Sequence, residues 1–210
     1  MRKRLELLAV LIGLSLLFLP ALPAEEDGWV TVKTSSVQLT KGEYVSACLK
    51  MATVGGDAIA FPVKGGSIPI KVSQDKVLID KELNGKIDFL AAQGERSKPI
   101  TVDLEHSNGD KVKYTFIITK ARGSWVLNRQ CGVSAKIGGS EFLFLDDNNN
   151  GIYGEEGADG VYYDKKEFGL PMSYLVTTAT GLFEISLTPS GKDLKYRPYK
   201  IGRASCRERV

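Results

Sequence analysis

Val, Ile, Thr, Tyr and Phe alternate with polar residues in short runs along most of the chain. Such period-two runs put one set of side chains on a buried face and the other in water, as a half-buried β-strand requires. WVTVKTSSVQL, YVSACLKMA, AIAFPVK, SIPIKVS, KVLIDKEL and PITVDLEH make up the first set. KVKYTFIITKA, SWVLNRQ, GVSAKIGG, EFLFLDD, GVYYDKK, SYLVTTA and LFEISLTP follow, with Gly, Asn, Asp or Pro between them. Asn108-Gly109 and Asn84-Gly85 are pairs that tolerate positive φ, which predicts a tight hairpin at each. No segment keeps helical spacing, and no repeat of solenoid or propeller period occurs. The expected fold is all-β, an antiparallel β-sandwich or barrel-like structure of one domain or two small ones. A boundary is expected near KARGSW, dividing a β-rich region at 25–124 from a second at 125–199.

One run breaks the alternation. Leu7 to Leu19 is apolar, preceded by Arg2, Lys3 and Arg4 and followed by a helix-breaking stretch from Pro20 to Ala24. Those are the three regions of a secretory signal peptide, expected to span 1–24 with cleavage after Ala24, or else after Ala21. The run is 13 residues long, against roughly 20 needed to cross a bilayer. No cysteine follows it to carry a lipid. The mature chain is therefore expected to be secreted or periplasmic, with no membrane span.

At the other end, residues 201–210 (IGRASCRERV) carry no strand or helix pattern. They resemble the conceptual translation of a common short-read sequencing adapter, matching codon for codon. On that reading the natural sequence stops near Tyr199 because the read stopped, and the gene can continue. The charge changes accordingly. Without Arg2, Lys3, Arg4, Arg203, Arg207 and Arg209, and without Glu6 and Glu208, Lys+Arg falls from 28 to 22 and Asp+Glu from 25 to 23. A net charge of +3 becomes about −1. The basic character disappears, and with it the compositional case for nucleic acid or an anionic membrane as partner.

Discarding Cys206 leaves Cys48 and Cys131. A Cys48–Cys131 disulfide in an exported chain would contribute up to roughly 4 to 5 kcal/mol in the chain-entropy model. In YVSACLKMA, Cys48 alternates with Val45, Ala47, Leu49 and Met51, so the bridge would lie away from the core or at a sheet edge. Two separate thiols are the alternative.

LDDNNNGIYGEEGADG, residues 145–160, is the stretch with recognisable chemistry. Hard cations take six to eight oxygen ligands, and a loop offering oxygens at alternate positions before a glycine turn can wrap one. Asp146, Asn148 and Asn150 alternate in this way, Gly151 follows, and Ile152 offers its backbone carbonyl. The stretch resembles the DxDxDG calcium loops of EF-hand and dockerin-type proteins, and similar loops set between β-strands in exported bacterial proteins. The likeness covers about a dozen residues. It implies Asp146, Asn148, Asn150 and Ile152 as the early ligands of a structural Ca2+. The twelfth position, which should hold a bidentate glutamate, is Gly157, so Glu155, Glu156 or Asp159 would have to close the shell. Two neutral ligands among the first three lower the attraction, placing the expected dissociation constant at roughly 0.1 to 1 mM. The competing reading is an Asn-rich turn that needs no metal.

Catalysis has little to stand on. The single histidine, His106, sits at the mouth of a predicted hairpin and is expected to be exposed. A zinc hydrolase with several His ligands is excluded for this portion, and no nucleophile-elbow pattern surrounds a serine. Glu25-Glu26 adjoins the cleavage point and Glu155-Glu156 lies in the proposed metal loop, so neither pair argues for a glycosidase acid. Trp29 and Trp125 stand in apolar strand contexts and are expected in the core. The sequence thus points to an exported, non-catalytic β-domain with a structural calcium site, serving as a structural, adhesive or binding module for a protein or glycan. The alternative is the amino-terminal accessory part of a secreted enzyme whose catalytic domain lies beyond Tyr199.

Overall fold

A computed structural model describes residues 28–39, 52–54, 56–74, 76–87, 89–92, 97–163 and 169–200. These hold seventeen strands and no helix. In chain order they are β1 Val30–Lys33, β2 Ser35–Gln38, β3 Ala52–Thr53, β4 Ala58–Ile59, β5 Ile68–Val72 and β6 Lys76–Ile79. Then come β7 Phe89–Ala92, β8 Ile100–Glu105, β9 Lys111–Ala121, β10 Ser124–Arg129, β11 Cys131–Ile137 and β12 Ser140–Leu145. The last are β13 Gly160–Tyr163, β14 Leu170–Pro171, β15 Leu175–Thr178, β16 Gly181–Leu187 and β17 Asp193–Pro198.

They build four antiparallel sheets, ordered β1-β17-β16-β15, β3-β10-β9-β8, β14-β13-β12-β11-β2 and β4-β5-β6-β7. None closes on itself, so the layered, sandwich-like expectation holds and the barrel does not. Alternation explains the layering. In β8 Ile100, Val102 and Leu104 are buried while Thr101, Asp103 and Glu105 face water. The buried sets from all four sheets meet in one cluster that includes Ile68, Ile79, Leu104, Phe116, Leu127, Ile137, Phe144 and Leu194. Each such side chain contributes about 1.5 to 3 kcal/mol of burial free energy.

One run that alternation predicts as a single strand changes sheets partway, and two neighbouring runs lie in different sheets. WVTVKTSSVQL divides at Thr34, whose amide and hydroxyl donate to the carbonyls of Lys192 and Gly191. Gln130 likewise separates β10 from β11, its amide donating to Thr115 O at 2.7 Å. The residue-124 boundary falls at a β9–β10 hairpin whose two-residue turn, Arg122-Gly123, has positive φ at both positions. That is the twist a tight hairpin needs, and the common core runs across it.

The other hairpins correct the sequence reading in detail. At the β8–β9 turn Gly109 takes positive φ but Asn108 does not, and His106 N and Gly109 N close a three-residue loop through Asp110 O and His106 O, both at 2.9 Å. At Asn84-Gly85 the strands β6 and β7 do pair, but across residues 80–88 rather than a tight turn. Trp125 is buried in the core as expected, whereas Trp29 is only half-buried, under the Arg197 guanidinium 4.5 Å from its ring centroid. It precedes Val30, whose partner Tyr196 packs on the core, so alternation turns Trp29 to the polar face. His106 is not exposed but 4% accessible, because the β16–β17 turn lies against the hairpin mouth. Cys48, Glu25 and Glu26 lie outside the described residues; Cys131 is a buried free thiol. No helix among the described residues is long and apolar enough to cross a membrane.

Candidate metal centre

The connection from β12 to β13, residues 146–159, starts where the strand's apolar face ends. Asp146 follows Leu145 directly and is fully buried. Its Oδ1 accepts the Asn150 amide at 3.1 Å and its Oδ2 the Gly151 amide at 2.7 Å. Asn148 and Asn150 repeat the device on a smaller scale, their Oδ1 atoms accepting the amides of Asn150 and Ile152 at 3.2 and 2.8 Å. Short polar side chains bonding amides two residues on are what coil a chain without a helix. Gly151 is required twice over. Its φ is +77°, and an added Cβ would stand 2.9 Å from Leu104 Cδ1 and 3.0 Å from Phe61 Cδ1.

The coil faces the sheet of β8, β9 and β10, not its own. Tyr114 of β9 donates its hydroxyl to Asp146 Oδ2 at 2.6 Å. At the end of β10 Arg129 Nη2 meets Asp147 Oδ1 at 2.7 Å, with side chains 9% and 0% exposed. The Arg129 amide donates to Asn149 Oδ1 at 2.8 Å. Asn149 sits at φ +58°, a conformation Asn tolerates better than most residues. Behind the pair, Gly160 leaves room for Asp147, since an added Cβ would fall 2.5 Å from its Oδ2.

The proposed ligands divide into those brought together and those not. Asn148 and Asn150 converge on Glu155, their amide nitrogens donating to the same Oε2 at 2.8 and 2.6 Å. Asp146 joins through the Asn150 amide. Asp159, buried, accepts Glu155 N at 3.0 Å and Asp147 N at 3.3 Å, so it closes the loop from behind. Ile152 is half-buried with its amide on Asn150, and Glu156 is exposed at the rim. Among the described residues no three of His, Cys, Asp and Glu gather closely enough to hold a metal ion by themselves. A cation would rest on mixed donors, namely Asp146, Asn148, Asn150, the Ile152 carbonyl and both oxygens of Glu155. That makes roughly six oxygens, the lower limit for calcium, with no soft ligand.

The charges in the loop are unequal. Asp146, Asp147, Glu155 and Asp159 share the loop, and Arg129 is the cation paired within it. Burial pushes the Asp146 carboxyl up to about 6, even though Tyr114, Gly151 and Asn150 donate to it. Burial also takes Asp159 to about 7, with the charges of Asp146 and Glu155 adding to the rise. Both Asp159 oxygens are held by backbone amides, and so are both oxygens of Asp146.

In the alternating pattern Asp147 and Asn149 are spacers, yet they are the residues that dock the coil. A second coil follows the same pattern. Residues 80–86, DKELNGK, carry Asp80, Glu82 and Asn84 at alternate positions before Gly85. Asp80 accepts Asn84 N at 3.0 Å and Gly85 N at 2.7 Å, and Asn84 Oδ1 accepts Lys86 N at 2.8 Å. Leu83 and Gly85 take φ of +54° and +80°, against +58° and +77° for Asn149 and Gly151. The spacing is legible in the sequence, where Asn84-Gly85 by itself predicts only a turn. No protein-family model, curated protein or solved structure matches the chain.

Proposed function

We propose that this chain is an exported β-module in which the 146–159 coil binds one structural Ca2+, and that it serves a structural, adhesive or binding role rather than a catalytic one. The observation that carries the reading is the excess of acidic groups in the loop, three buried aspartates and the half-buried Glu155 around one arginine. Buried charge is costly unless paired, and a divalent cation would pair it once the Asn148 and Asn150 amides, whose nitrogens meet Glu155 Oε2, turn their oxygens to the ion. The ion would fasten the β12–β13 connection against β9 and β10, two sheets of the sandwich. Export supports this, since millimolar extracellular calcium suits a site of modest charge.

Thermal unfolding of residues 25–199 in chelator and then in 10 mM calcium tests it. A site with a dissociation constant near 0.1 mM stabilises by about 2.7 kcal/mol at that concentration. For a chain of this size the melting temperature rises by roughly 5 to 10 °C. Glu155→Gln keeps the shape and abolishes most of the rise. Equal melting of the parent chain in both conditions sinks the proposal.

A further inference from the structure

The β8–β9 turn and the β16–β17 turn meet at a carboxylate. Asp110 accepts the Ser190 hydroxyl from the opposite turn, the Asn108 amide at 2.8 Å, and Lys192 Nζ at 3.4 Å. Ser190 is buried, and its hydroxyl also lies 3.2 Å from that of Thr188, so Ser190 and Lys192 both tie the second turn to Asp110 of the first. Beside this knot His106 is 4% exposed, and its Nε2 is buried with no hydrogen-bond partner. Among the described residues the charged groups acting on the ring are Asp110 of its own hairpin and Lys192 of the facing turn. Glu105 and Lys111, at the last pair of the hairpin, hold each other at 3.5 Å on the exposed side.

A neutral imidazole fits this place and a charged one does not. A buried Nε2–H without an acceptor costs the desolvation of a charged donor. Its available counter-charge is Asp110, which already holds Ser190 and Lys192. An imidazolium that draws Asp110 toward itself therefore loosens the cross-turn knot. What the second turn covers is specific. Gly191 packs on Tyr153 and Val133, with an added Cβ falling 2.9 and 3.1 Å from their side chains. Beneath lies the Cys131 thiol, 2% exposed and 3.7 Å from the Tyr153 hydroxyl. A cleft of about 570 Å3 already runs between Thr34, Ser190, Lys192 and this floor.

We propose that the contact between the two turns is an acid-released latch, opened by a proton on His106, whose opening uncovers Cys131. It does not depend on the calcium reading. Burial holds the His106 pKa below its usual 6.5, with Asp110 opposing and Lys192 reinforcing the shift. The latch is accordingly closed above about pH 6.5 and weakens as pH falls below that value, since the open state takes up more protons.

The test labels Cys131 with 4,4′-dithiodipyridine, which reacts in mild acid, on the chain carrying Cys48→Ser and Cys206→Ser. At about pH 7.5 that chain and its His106→Gln derivative label equally slowly. At about pH 5 the His106 chain labels roughly fivefold faster than the derivative, because only it gains an opening reaction. Equal rates for the two at both pH values overturn the latch. Should His106→Gln not fold, Ser190→Ala with His106 intact reads the same contact. It labels at about pH 7.5 several times faster than the parent does at the same pH, and unchanged slow labelling overturns the proposal.

Discussion

The coils at 80–86 and 146–152 share one backbone and differ in almost everything around it. In both, an aspartate at a strand's end accepts the amides four and five residues on, and a glycine at positive φ turns the chain. Around Asp80 the neighbours are Glu82, Lys81 and Lys86, with Lys81 Nζ 3.7 Å from Glu82 and the loop's middle exposed. Around Asp146 lie Asp147, Glu155 and Asp159, with the coil buried against another sheet. The turn alone therefore explains the shared geometry without any metal. Only the surroundings distinguish a coil with balanced surface charge from one with an unbalanced buried charge.

The largest effect expected from this contrast is at Arg129→Ala, which leaves Asp147 buried without its partner and costs about 3 to 5 kcal/mol in urea unfolding. Lys81→Ala in the other coil changes stability by less than about 0.5 kcal/mol. Next comes the calcium response. Asp80→Asn keeps the rise in melting temperature that the parent shows, and Glu155→Gln loses it. A halved rise in Asp80→Asn would mean that the coil geometry, not the buried charge, recruits the ion. The glycines come third. Gly85→Ala meets open space and costs about 1 kcal/mol for its positive φ, whereas Gly151→Ala adds overlap with Leu104 and Phe61 and costs about 2 to 3 kcal/mol. Equal costs would show that the packing around Gly151 relaxes freely. Smallest is Leu83→Asn, which gives the exposed coil the Asn149 solution at φ +54° and stabilises by about 0.5 kcal/mol.

Acidity gives a further test. Asp146 and Asp159 have folded pKa values raised above the ordinary carboxylate range. The folded chain therefore binds more protons than the unfolded one between about pH 7 and pH 4, and its stability in chelator rises as pH falls through that window. His106 pulls the other way below about pH 6.5, so the measurement belongs in the His106→Gln chain.

Much of the fold could be read from alternation because burial on one face leaves a period of two, as β8 and β16 show residue by residue. What could not be read depends on partners far along the chain. The break at Thr34 is made by carbonyls of the β16–β17 turn, and His106 is covered by that same turn. In the 146–159 loop the spacing of Asp146, Asn148 and Asn150 located the coil. The side chains between them decide what it docks on, and a spacing rule assigns them nothing. Asp147 found Arg129 through the tertiary packing of β10.

β1 pairs along its whole length with β17, joining the first described strand to the last. A ribosome releases the chain from its amino end, so β1 waits without its β17 partner until residues 193–198 have been made. Contacts of that sequence separation form slowly, because the intervening loop must close first. The sheet β1-β17-β16-β15 is therefore completed only after every strand of the other three sheets has been made.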